Sequence, residues 1–69
     1  MILTQVGLRI KNLRNEMNIS QEKLAAIADI DRTYLAGVEL GKRNPSLKSL
    51  EKILNALEIS FAEFFKEIK

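Results

Sequence analysis

The chain has 69 residues, of which 46% are hydrophobic and 29% charged, with a formal net charge of +2. That length supports one small domain whose core buries only roughly 60% of the unfolded chain's surface, so stability is marginal without a further contribution. Cysteine and histidine are both absent, which excludes disulfides, thiolate nucleophiles and the usual zinc ligands, so no metal or cofactor is expected.

Helical periodicity runs through the chain, and no segment alternates with period two for long enough to make a strand. Leu3, Val6, Ile10, Leu13 and Met17 recur at three- and four-residue steps and share one face of a first helix. Thr4 is the expected cap, Gly7 weakens the early turns, and Asn15 and Asn18 suit the stop. Ser20 caps a second helix from Gln21 to about Ala28, with Leu24, Ile27 and Ala28 facing inward. Asp29-Ile30-Asp31 breaks it, and Asp31 caps a third helix that continues through Glu39 with Leu35 and Val38 inward. Leu40 to Asn44 reads as a loop, with Gly41 where a helix end needs positive φ. After Pro45, Ser46 caps a fourth helix that turns Leu47, Leu50, Ile53, Leu54 and Leu57 inward. Ser60-Phe61-Ala62-Glu63 matches the S-x-x-E capping box and opens a fifth helix, expected over 61–68. The expected fold class is all-α, a compact bundle of five short helices.

Residues 21–40 carry a more specific pattern. Two short helices that cross steeply across a tight turn need a small residue where the backbones approach and apolar residues toward the shared core. Counting Gln21 as the first position, the fifth is Ala25, and the fourth, eighth, tenth, fifteenth and eighteenth are Leu24, Ala28, Ile30, Leu35 and Val38. The ninth, a turn position that favours glycine, is Asp29, which enters the left-handed region more readily than most residues. This set of offsets is that of a DNA-binding helix-turn-helix.

Charge supports the same reading. Residues 1–50 hold eight basic and five acidic side chains, whereas 51–69 hold three and four. Between Leu40 and Leu50, Lys42, Arg43 and Lys48 stand without an acid, a basic face suited to phosphates. On the outer face of the third helix, Arg32 and Thr33 occupy the first turn. There an arginine can pair with guanine O6 and N7, and a threonine can meet a thymine methyl. Gly37, one turn beyond Thr33, either lets the backbone approach the DNA or relaxes specificity. Tyr34 has three open readings, namely stacking on a base, bonding a phosphate or covering the edge of the core, with a DNA-facing hydroxyl preferred. Gln21 at the start of the second helix, and Lys42, Arg43 and Asn44 after the third, are expected on the DNA backbone.

The stretch Ser-Gln-Glu-Lys-Leu-Ala from Ser20, together with Asp31 to Ser46 and the downstream L-x-x-L-x-x-I-L-x-A-L from Leu47, resembles the Cro and phage-repressor type of helix-turn-helix domain, the XRE family. The resemblance runs from about Leu8 to Phe65, and the string from Asp31 to Ser46 is most similar to the controller proteins of restriction-modification systems. It implies a lambda-repressor-like fold, a phosphate contact at Gln21, and a partly buried salt bridge between Arg14 and Glu39 that joins the first and third helices. It also implies a short dimeric regulator of transcription.

Dimerisation has support in the residues themselves. Phe61, Phe64, Phe65 and Ile68 lie within eight residues, more apolar surface than one core contact needs. Phe64 and Leu57 are expected to close the core, leaving Phe61, Phe65 and Ile68 for a second copy. A two-fold dimer would set two reading helices ~34 Å apart on palindromic double-stranded DNA. The alternative is an antitoxin or other small repressor whose main partner is a protein. An enzyme is not expected, because the carboxylates are scattered over helix exteriors, and neither is a small-molecule ligand. No apolar run reaches the ~20 residues that span a bilayer, and the opening MILTQVGLRI lacks the basic-then-apolar order of a secretory signal, so a cytoplasmic protein is expected.

Overall fold

The structure, a computed structural model, describes residues 1–68 as five helices: α1 (Ile2–Glu16), α2 (Gln21–Ala28), α3 (Arg32–Glu39), α4 (Leu47–Ala56) and α5 (Phe61–Lys66). None of them is long and apolar enough to cross a membrane. One core receives side chains from all five, with Ile10, Leu24, Leu35, Val38, Ile53, Leu54 and Phe64 fully enclosed.

Four helices start as their side chains dictate. The hydroxyls of Ser20, Ser46 and Ser60 accept from the backbone N–H groups of Lys23, Ser49 and Glu63, and the Asp31 carboxylate accepts from that of Tyr34. Each satisfies one of the donors that a helix start leaves unpaired. The exception is α1, which begins directly after Met1 with no side-chain cap, so that Thr4 lies inside the helix and not ahead of it. Burial of Val6 and Ile10 on that helix stabilises its first turns where the cap does not.

The ends of α1 to α4 share one device. At Asn18, Asp29, Gly41 and Glu58 the backbone turns to positive φ, 57°, 57°, 75° and 58° respectively. The following residue then donates back across the turn, as Ile19 does to Arg14, Ile30 to Ala25, Lys42 to Gly37 and Ile59 to Leu54. In this Schellman arrangement the residue after the left-handed one normally packs on the helix it has left. Ile19, Ile30 and Ile59 do so, half-buried against the core. Lys42 holds the same position after α3 and is exposed. Three turns therefore close onto the core, and the one that follows α3 puts a cation in solvent.

Some expected inward residues lie elsewhere. Ile27 is 50% exposed, because Leu24, Ala25 and Ala28 define the buried stripe of α2 and Ile27 lies roughly 110° from its centre. Leu47 has the right angular position on α4 but stands a full turn ahead of Leu50, the first residue of that helix to reach the core, and is exposed. Met17, at the end of α1, is 39% exposed. The fifth helix stops at Lys66 and not at Ile68, since the Ile68 N–H turns back to the Phe65 carbonyl.

Gly7 has a role beyond local propensity. A Cβ there would collide with the Val38 carbonyl oxygen and lie 2.7 Å from that of Glu39. The residue that weakens α1 in isolation is the one that lets it dock on the end of α3.

Candidate nucleic-acid interface

The turn between α2 and α3 spans Asp29 to Asp31. Asp29 takes the left-handed conformation (φ 57°, ψ 49°), and Ala25, 3% exposed, supplies the small contact where the two helices cross. With Leu35 and Val38 locked inside, the opposite face of α3 is fixed in solvent. Arg32 and Thr33 project from its first turn and are exposed.

Tyr34 divides its side chain between two surroundings. Its ring is half-buried and packs against the core, and its hydroxyl accepts from the Ser46 N–H at 3.3 Å. The aromatic residue thus ties α3 to the start of α4. Because the oxygen accepts there, its own O–H proton remains free to donate.

Gly37 does not face empty space. The space its side chain would take is occupied by Arg43, whose Cγ lies 2.5 Å from where a Cβ would be. The Arg43 guanidinium then lies over the Tyr34 ring, 5.1 Å from its centroid, in cation–π geometry. Neither reading of Gly37 from the sequence included this, because Arg43 reaches α3 from a loop six residues downstream. Lys42 and Asn44 flank it, both exposed. Arg32, Thr33, Lys42, Arg43 and Asn44 accordingly lie at or just after α3, with Tyr34 and Gly37 as the surface on which Arg43 rests.

Behind this face sits a charged cluster. Arg14 donates through Nε to Glu39 Oε2 at 2.8 Å and through Nη2 to Oε1 at 3.0 Å, while Nη1 reaches the Ile19 carbonyl at 2.9 Å. The pair is buried, with side chains 10% and 2% exposed. Gln21 Nε2 donates to the same Glu39 Oε1 at 3.0 Å. The Gln21 amide is therefore held from behind, with its carbonyl oxygen and second N–H uncommitted.

On α5, Phe64 is fully buried, whereas Phe61 and Phe65 are each 37% exposed. Their rings stack at 6.4 Å with 13° between planes, and Phe65 meets Phe64 edge-on at 5.0 Å. Ile68 packs against this chain's own core and is half-buried, so it contributes less free surface than its position in the sequence suggests.

One residue was not legible in the sequence. Arg9 donates through Nε to the Phe64 carbonyl at 2.7 Å and through Nη2 to the Glu63 carbonyl at 3.3 Å, with its guanidinium 5.5 Å from the Phe64 ring centroid. It joins residues 54 and 55 positions apart, a separation that no local spacing reveals.

Comparison with known proteins accords with this geometry. Residues 10–64 match the helix-turn-helix family. The control protein C.MunI of a Mycoplasma species is 46% identical over 69 residues, a match that takes in 99% of this chain and 93% of that protein. The restriction-modification controller protein C.AhdI from Aeromonas hydrophila superposes with a TM-score of 0.88 at 43% identity, covering 91% of this chain and 96% of that one. The controller C.Esp1396I, solved as a tetramer with its natural 35-base-pair operator, superposes at 0.89 with 42% identity, covering 96% of this chain and 87% of that one. The chain belongs to the helix-turn-helix family and is similar, over nearly its whole length, to the controller proteins of restriction-modification systems.

Proposed function

We propose that the chain is a sequence-specific DNA-binding regulator of transcription that acts as a homodimer on a palindromic operator, in the manner of a restriction-modification controller, on the DNA of the cytoplasm. The observation that carries this reading is the exposed first turn of α3, where Arg32 and Thr33 stand on a rigid helix flanked by Lys42, Arg43 and Asn44. Such a helix presents its N-terminal residues to base edges in the major groove, and the flanking cations contact phosphates on either side. That a relative 42% identical was solved in complex with its operator supports DNA as the partner. Variants of that controller at a successive arginine, threonine and tyrosine have also been crystallised, and Arg32-Thr33-Tyr34 is this chain's run of those residue types.

In this reading Arg32 and Thr33 contact bases and Tyr34 donates its free O–H to a phosphate or base edge. Gly37 serves indirectly, by making room for Arg43. Gln21, Lys42, Arg43 and Asn44 hold the DNA backbone, and Phe61 and Phe65, with Ile68 at the margin, form the dimer contact. A gel-shift titration against palindromes selected from a random duplex pool tests it. The expected result is one preferred sequence, bound with a steep loss of affinity as salt rises. Binding that is equal on all sequences, or insensitive to salt, would refute it.

A further inference from the structure

Arg9 makes the longest-range side-chain hydrogen bonds among the described residues. We infer that Arg9 is a positioning residue. By locking α5 to α1 it fixes the angle between the dimer contact and the reading helix, and so sets the half-site spacing that the dimer accepts. This rests on the α5-mediated dimer proposed above.

The local chemistry explains why an arginine is needed. Beyond Lys66 the chain tightens, and the Ile68 N–H turns onto the Phe65 carbonyl. Among the described residues, no backbone N–H beyond Lys66 reaches the Glu63 or Phe64 carbonyl, at the end of a six-residue helix where the partial negative charge of the helix collects. The planar fork of Arg9 meets both, with the stronger bond of 2.7 Å to Phe64. Beside this bridge the two elements part, leaving an open cleft of about 240 Å³ lined by Gln5, Leu8, Arg9, Asn12, Glu67 and Ile68. The end of α5 is thus held to α1 by a polar clasp and not by continuous apolar packing.

The mechanical consequence follows from how the other elements are joined. Close backbone contact at Gly7 fixes α1 on the end of α3. Phe64 is the one fully enclosed residue of α5, with Ile59 and Ile68 half-buried on either side of that helix, so a short apolar anchor leaves Arg9 to set the tilt about it. Arg9 closes the path from the Phe61 and Phe65 rings through α1 to α3. The molecule is 29 Å along its longest axis, so a tilt of about 7° at one end moves the other by about 3.5 Å, close to one base-pair step of the duplex. Small freedom in α5 therefore takes up the axial part of a one-base-pair misfit, while the accompanying rotation of roughly 35° per step is shared with the duplex.

The test uses the full chain and the selected palindrome with its centre lengthened or shortened by one or two base pairs. For wild type, each base pair of misfit should weaken binding by about tenfold, because the two protomers can no longer engage together. In Arg9→Ala the same change should cost about threefold or less, with affinity for an isolated half-site unchanged, and Arg9→Lys, which loses the fork, should fall between. Folded Arg9→Ala with the wild-type spacing penalty would overturn the inference. Should circular dichroism show that Arg9→Ala does not fold, Arg9→Lys decides: a reduced penalty supports the inference and an undiminished one overturns it. Sedimentation of the wild type separates this from the dimer reading. A wild type that is monomeric on the palindrome removes both, whereas a strict wild-type dimer with an equally strict Arg9→Ala removes only the role of Arg9.

Discussion

Two buried side chains carry the largest consequence per residue. The Glu39 carboxylate takes N–H groups from Arg14 and Gln21, and Arg14 also holds the Ile19 carbonyl. Removing the guanidinium leaves a buried carboxylate with one weak donor, so Arg14→Ala should lose about 3 kcal/mol, far above the ~0–1 kcal/mol of a surface pair. Denaturant unfolding measures this, and a loss within error of zero would refute the interpretation. The double variant Arg14→Met with Glu39→Leu should recover most of the stability, since the cost lies in the stranded charge. On the DNA face, Arg32→Ala should relax base preference at one position per half-site by about tenfold to a hundredfold. Lys42→Ala should weaken all sequences alike and lower the salt slope by about one, as read from gel shifts at graded salt.

At the scale of elements, the contact of α1 with α3 sets two tendencies against each other. Gly7→Ala improves the helix propensity of α1 by about 1 kcal/mol, but the new Cβ would meet the Val38 and Glu39 carbonyls, the latter at 2.7 Å. Backbone atoms cannot swing aside as a side-chain end can, so the helices must separate. The net effect should be a destabilisation of about 2 kcal/mol, a fall in melting temperature of about 10 °C for a domain of this size. Gly37→Ala makes the contrast. There the obstacle is the Arg43 side chain, which is exposed and can move. Stability should stay within about 0.5 kcal/mol of wild type, while operator affinity falls as Arg43 leaves the Tyr34 ring. Thermal melts and gel shifts on the same two variants separate the effects.

For the whole molecule, a 69-residue chain with one core and neither cysteine nor histidine has little stability to spare. The pair of exposed stacked rings at Phe61 and Phe65 offers the missing apolar contact. Phe65→Glu should weaken self-association by about thirtyfold or more, the loss expected of an aromatic anchor at an interface centre. Sedimentation equilibrium reads this directly, and a variant that associates as wild type does would place the interface elsewhere.

The sequence by itself determined most of what is local. Serine and aspartate caps, turn residues and apolar spacing act within a few residues, so the five helices and the offsets from Gln21 to Leu40 could be read from the chain. Even Asp29, where glycine is usual, takes the left-handed turn that its short polar side chain tolerates. What the sequence misplaced, or left open, involves partners distant along the chain. Ile27 and Leu47 have helical spacing but no neighbour to cover them. Gly7 reads as a weak spot until α3 lies against it. Gly37 reads as open until Arg43 fills the space beside it, and of the three readings of Tyr34 the ring's place against the core and beneath Arg43 comes only with the fold. Arg9 has no signature at all, because its meaning depends on α5 arriving beside α1. Periodicity reports which face of a helix is apolar. Only the tertiary structure decides what that face, and each polar group beside it, finally meets.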